Sequence, residues 1–155
     1  MTEHEEKAKN MERVLSAAGF RISFQRRAVI AYLVSTALHP SARQVFNEVK
    51  RKYPGLSLAT VYNTLGVLSR MRLIKVMRFD VADNRYEPNV SPHVNLICTS
   101  CGEIENLEQG VPVRPEAIME KAGFEVLDNR FECYGLCAEC RTSVQGDSFP
   151  DDCGA

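Results

Sequence analysis

The sequence predicts an α+β chain: an N-terminal winged helix-turn-helix followed by a smaller C-terminal α/β domain with a four-cysteine zinc site. Three observations carry this. The first half runs helix, helix, helix, hairpin in its periodicities. Charge is split, with 15 Lys/Arg against 8 Asp/Glu in residues 1–87 and 4 against 12 in residues 88–155, so a net charge of −1 hides modules of +7 and −8. The second half holds two Cys-x-x-Cys pairs, Cys98/Cys101 and Cys137/Cys140. At 155 residues and 45% apolar the chain can bury a core, which excludes disorder as the whole description. Its longest apolar run, Ala28 to Val34, is seven residues, far below the roughly 20 that cross a bilayer. The segment Met1 to Glu6 has neither the basic nor the apolar region of an export signal. A cytoplasmic protein with no membrane partner is expected, and six cysteines in that setting argue against a disulfide framework.

A helix is expected from about Glu3 to Ala17. A second follows Ser23, with Val29, Ile30, Leu33, Val34 and Ala37 on one face, and His39-Pro40 stops it. Ser41-Ala42-Arg43-Gln44 has the form of a capping box, with Val45, Phe46 and Val49 behind it and Tyr53-Pro54-Gly55 at its end. The next helix starts at Ser57 and places Leu58, Val61, Leu65 and Leu68 inward. Leu73 to Phe79 and Arg85 to Glu87 then read as a hairpin turning at Val81 to Asn84. The DNA-binding module so defined spans 1–87, a hinge 88–92 contains Pro88 and Pro92, the zinc-stapled dimerisation domain covers 93–141, and 142–155 is a flexible tail.

A helix that enters the major groove must carry short or planar polar side chains near its N-terminus. Ser57, Ala59, Thr60, Tyr62 and Asn63 meet that need: Thr and Tyr can touch thymine methyls, and Asn can pair with adenine. Arg21, Arg26, Arg27, Arg70, Arg72 and Arg85 would hold phosphates of double-stranded DNA. On an isolated helix such a face would be merely solvated; the hairpin and the +7 charge weigh toward DNA.

Two Cys-x-x-Cys knuckles separated by 35 residues can close a tetrahedral thiolate site, which suits structural zinc. Gly102 and Gly135 fit the tight turns of such knuckles. The intervening chain reads as a strand from Glu103 to Leu107, a helix from Pro115 to Ala122, and one or more strands from Phe124 to Tyr134. The rival reading, a thiol-disulfide enzyme, needs one such motif in a βαβ setting rather than a matched pair. No phosphate loop, serine triad or paired catalytic carboxylates stand out, so no enzyme is expected. Cys133 alternates with Phe131 and reads as a small buried hydrophobe, and Cys153 falls in the tail.

The stretches Gly19 to Arg27, Ser57 to Leu65, His93 to Gly102 and Tyr134 to Cys140 together resemble the ferric uptake regulator family, over about Arg13 to Arg141. Asn63 after Val61-Tyr62 is more similar to the peroxide-responsive repressors of that family than to its iron-uptake repressors, which usually carry Arg there. The resemblance implies a homodimeric, metal-dependent repressor acting on an inverted repeat, often A/T-rich, with a regulatory iron or manganese ion at the hinge. Matched position by position, the regulatory ligands are His39, Glu87, His93, Asn95 and Asn106. Asn95 stands where the family has a second His, and Asn106 where it has an acid. Carboxamide oxygens bring no charge and bind iron or manganese less well than imidazole or carboxylate, so the site is expected to be reduced. Peroxide, which in the peroxide-responsive subgroup oxidises histidine ligands, would act at His39 and His93. With only three histidines in the chain, the family's further His-rich site is not expected.

Overall fold

In a computed structural model, residues 2–78, 83–107 and 114–144 are described. They divide into two compact units, Met1–Val90 and Ser91–Ala155.

The first unit is helical. Helix α1 (Glu3–Ala17) opens on a capping box at Thr2 and packs on α2 (Phe24–Ser35), whose N-cap is Ser23. Helix α3 (Ala42–Lys52) begins at Ser41, where hydroxyl and Gln44 amide exchange backbone hydrogen bonds as the capping box requires. Helix α4 (Leu58–Arg70) is capped by Ser57. Met11, Leu15, Val29, Ile30, Leu33, Val45, Val61, Leu65 and Leu68 form one core between these helices. Two expectations shift. Helix α2 ends at Ser35, before His39-Pro40: Thr36 turns to extended backbone and its hydroxyl caps the Leu38 N–H, so Ala37 is exposed rather than in the core. On α4, Leu58 is half-buried while Thr64 is buried, its hydroxyl donating to the Thr60 carbonyl.

Strands β1 (Lys75–Met77) and β2 (Arg85–Glu87) pair antiparallel as the wing, Lys75 opposite Glu87. The expected strand residue Phe79 and turn residues Val81 and Ala82 lie outside the described residues. The wing is tied to the α2–α3 connection: the Tyr86 N–H donates to the Pro40 carbonyl, and the Arg85 guanidinium donates to the His39 carbonyl and the Gln44 side chain. These bonds bring His39 beside the end of β2.

The second unit is a three-stranded sheet in the order β4-β3-β5, with β3 (Val94–Cys98) central. Strand β4 (Ile104–Leu107) is antiparallel to β3, and β5 (Glu132–Gly135) is parallel to it. Helices α5 (Pro115–Ala122) and α6 (Ala138–Val144) complete it. Phe124 to Phe131, expected to be strand, is irregular, and only the short β5 follows it. The expected tail boundary at 141 falls inside α6, and the rest of the tail, with Cys153, lies outside the described residues. Among the described residues no helix is long and apolar enough to cross a membrane.

Candidate metal centres and nucleic-acid face

The knuckle after β3 and the start of α6 bring Cys98, Cys101, Cys137 and Cys140 together, their sulfurs all within 4.8 Å of one another. Cys101 and Cys137 sulfurs are 3.8 Å apart, close to the roughly 3.8 Å edge of a tetrahedron built on Zn–S bonds of about 2.3 Å. Backbone geometry makes the site. Gly102, at φ +75, takes the left-handed turn that closes the first knuckle, and Thr99 pins that knuckle to the Gly135 carbonyl through its N–H and its hydroxyl. Gly135 itself lies in β5 rather than in the turn expected of it. The Cys137 N–H donates to the Cys98 sulfur at 3.4 Å. The Cys101 N–H, then that of Cys137, hold the Cys98 thiol far below its ordinary value, at about 6. At Cys101 the Glu103 N–H favours the thiolate, but the Cys98 sulfur, burial and the sulfurs of Cys140 and Cys137 outweigh it and push the thiol up to about 12. A cluster that concentrates its first negative charge on one sulfur and resists a second is completed by a cation. The donor set and spacing fit zinc, and the four separate thiols form no disulfide.

The five residues matched to a regulatory metal fall two in the first unit and three in the second. In the first, His39 Nε2 and Glu87 Oε2 are 2.7 Å apart, with side chains only 2% and 3% exposed. Glu87 Oε1 accepts the Asn89 N–H at 3.0 Å. His39 Nδ1 is buried with no hydrogen-bond partner among the described residues. In the second, His93 is buried and its Nδ1 donates to the Ser91 carbonyl at 2.8 Å. Asn95 on β3 lies directly opposite Asn106 on β4, so the two carboxamides share one face. Both Oδ1 atoms are buried and neither has a hydrogen-bond partner among the described residues. Buried acceptors without donors are costly and rare, and a hard cation satisfies them; the residues present fit a divalent metal. Glu105 pairs with Leu96 and faces the other side, as alternation requires, so it is no substitute for Asn106.

Cys133 shares that other face with Leu96 and Glu105, lining an open cavity beside the cysteine cluster. It is exposed, contrary to the buried hydrophobe expected, because none of the described residues covers this face of the edge strand. Sequence reasoning does not single out Glu132. It is the β5 partner of Asn95, and parallel pairing between segments so far apart in the chain leaves no local signal.

On α4, Ala59, Tyr62 and Asn63 are exposed, with Tyr62 46% exposed despite its ring. Ser57 and Thr60 bond to each other at 2.8 Å, so the Ser57 hydroxyl serves first as the cap. Arg26 donates to the Asn63 Oδ1 at 3.0 Å and to the Arg21 carbonyl, joining the start of α2 to the exposed face of α4. Arg21 and Arg70 are exposed. Besides Arg26, two expected phosphate ligands make contacts within the protein: Arg27 pairs with Glu12 at 3.1 Å, and Arg85 holds the wing to His39 and Gln44.

A winged helix joined to a thiolate-stapled sheet domain defines a two-part DNA-binding regulator that carries metal sites. The sequence profile of the ferric uptake regulator family matches residues 17–134, and the chain belongs to that family. It is 35% identical over 127 residues to the peroxide operon regulator of Bacillus subtilis (strain 168), covering 81% of this chain and 88% of that protein. The peroxide stress regulator of Campylobacter jejuni superposes with a TM-score of 0.65 at 26% identity, covering 90% of this chain and all of that one. The ferric uptake regulator of Helicobacter pylori, at a TM-score of 0.70 and 22% identity over 90% of this chain and 95% of that one, shares the fold.

Proposed function

We propose that this chain is a metal-dependent transcriptional repressor that binds double-stranded DNA as a homodimer at an A/T-rich inverted repeat. In this reading Cys98, Cys101, Cys137 and Cys140 hold a structural zinc ion, and His39, Glu87, His93, Asn95 and Asn106 supply the ligands of a regulatory iron or manganese ion. The observation that carries it is the set of buried atoms without partners among the described residues, His39 Nδ1, Asn95 Oδ1 and Asn106 Oδ1. A divalent cation bound there supplies the positive charge these atoms lack. Glu87 Oε2 accepts a hydrogen bond from His39 Nε2, which leaves Nδ1 as the coordinating atom. The Ser91 carbonyl accepts from His93 Nδ1 and orients that ring.

Tyr62 and Asn63 read bases, Asn63 being presented by Arg26, while Arg21 and Arg70 contact phosphates. Family relatives named for peroxide response, at 32–35% identity, support peroxide as a second input beside metal level. Binding of an A/T-rich inverted repeat, titrated with manganese and with ferrous iron, with and without chelator, tests the reading. Metal-raised affinity is expected; equal binding in chelator would refute metal dependence and leave a metal-independent or thiol-sensing repressor of the same fold.

A further inference from the structure

The three matched ligands of the second unit, His93, Asn95 and Asn106, include no carboxylate, where the family pattern has an acid at the position of Asn106, so a divalent ion held there lacks a charged donor. The sheet register offers the missing one. Strand β3 places Asn95 opposite Asn106 on one side and opposite Glu132 on the other. Paired residues lie on the same face with Cβ atoms about 4.5–5.5 Å apart, so Asn106, Asn95 and Glu132 form a row across all three strands. The middle member is 8% exposed and its oxygen is without a partner among the described residues. Glu132 is itself largely covered, with a side chain 19% exposed. Its Oε2 accepts the Tyr134 hydroxyl at 2.6 Å, and its Oε1 lies 4.0 Å from the Arg130 guanidinium.

We propose that Glu132 is the carboxylate ligand that the second unit contributes to the regulatory metal, completing with Asn95 and Asn106 an all-oxygen row that takes a hard divalent cation of the manganese type. The inference rests on the regulatory-metal reading given above. Three side-chain oxygens, one of them charged, match the donor preference of manganese better than that of zinc or copper. The Tyr134 hydroxyl and the Arg130 guanidinium orient the carboxylate.

The test is a Mn2+ titration of the zinc-loaded full chain, following free Mn2+ by its paramagnetic resonance, for the unsubstituted protein, Glu132→Gln, Glu132→Asp and Tyr134→Phe, each checked for zinc content. The unsubstituted chain is expected to bind one Mn2+ beyond zinc. Glu132→Gln is expected to weaken that binding by roughly tenfold or more, Glu132→Asp by less, and Tyr134→Phe to leave it unchanged or tighter. Failure of the unsubstituted chain to bind Mn2+ would overturn the regulatory-metal reading and this inference with it. Unchanged affinity in Glu132→Gln, or equal weakening in Tyr134→Phe, would overturn the role of Glu132 alone. Should Glu132→Gln lose its zinc, unchanged affinity in Glu132→Asp overturns it equally.

Discussion

Removing the zinc site should unfold the second unit and spare the first. The perturbation is Cys140→Ser, or a strong chelator on the unsubstituted chain. In the second unit the buried apolar side chains among the described residues are Val94, Ile97 and Cys98, and α5 contributes none. Burying a Val or Ile side chain is worth ~1.5–3 kcal/mol, whereas structural zinc sites in small modules contribute on the order of 10 kcal/mol or more at neutral pH. The metal therefore outweighs the apolar term there. The first unit has its own core, with Leu15, Val29, Ile30, Leu33, Val45, Val61, Leu65 and Leu68 all fully buried. Helices α5 and α6 contain 8 and 7 residues against 15, 12, 11 and 13 in α1 to α4. Loss of the second unit should therefore remove under a quarter of the far-ultraviolet helical signal, with protease cleavage confined to residues beyond Val90. One zinc per chain should fall to none in parallel. A chelated chain that kept its full helical signal and resisted cleavage after Val90 would refute the reasoning.

His39→Ala removes the buried imidazole N–H that Glu87 Oε2 accepts and leaves the Asn89 N–H on Oε1, and a buried acceptor that loses its donor costs about 1–3 kcal/mol; urea unfolding should show that loss, and His39→Ala with Glu87→Gln should recover part of it. Asn63→Ala should cost about 1–3 kcal/mol of operator affinity, confined to sequences with adenine at the contacted position, whereas Arg70→Ala should weaken all sequences alike and reduce the salt slope by about one; competition binding against base-substituted operators separates the two. Zinc retention should fall as pH falls. Cys98, depressed to about 6, favours the folded cluster as a thiolate, a contribution complete above the ordinary thiol value of 9.0 and lost as pH drops through about 6. Cys101, raised to about 12, acts with the opposite sign: its neutral thiol is the favoured form in the metal-free cluster, so zinc uptake at neutral pH must release a proton there. A colorimetric zinc-release assay from about pH 8 to 5 should steepen below about 6, and pH-independent retention would contradict the assignment.

Short-range chemistry is readable in the sequence. Ser23, Ser41 and Ser57 each cap the helix expected after them, because a hydroxyl that takes a backbone N–H three residues on is a local device. The two knuckles are equally local, and only their meeting needs the fold. The end of α2 differs from the stop that Pro40 predicts, because competition between the Thr36 hydroxyl and the helix ends it already at Ser35. Thr64 gives no sequence signal as a core residue, because a hydroxyl that bonds back to its own helix can be buried without a tertiary partner. Cys133 escapes the same reasoning because alternation assigns a face but not what covers it. Glu132 requires knowing that β5 returns parallel to β3, a pairing set by packing and by the cysteine cluster.

If Asn95 and Asn106 are the ligands proposed above, they change the kind of metal chemistry the chain can support rather than abolishing it. An absent ligand would leave either an apolar filling or a polar group bonded within the protein. Here both positions instead bury carboxamide oxygens that have no partner among the described residues, side by side across two strands. Exchanging an imidazole for such an oxygen removes an oxidisable nitrogen donor and hardens the site, so the affinity difference between iron and manganese should narrow. Peroxide chemistry, which needs iron bound beside oxidisable ligands, is then restricted to His39 and His93, whereas a response to the level of a hard cation uses every donor in the set. On this chemistry the resemblance of the recognition helix to peroxide-responsive repressors describes which operators are read, while the ligand set favours metal concentration as the signal.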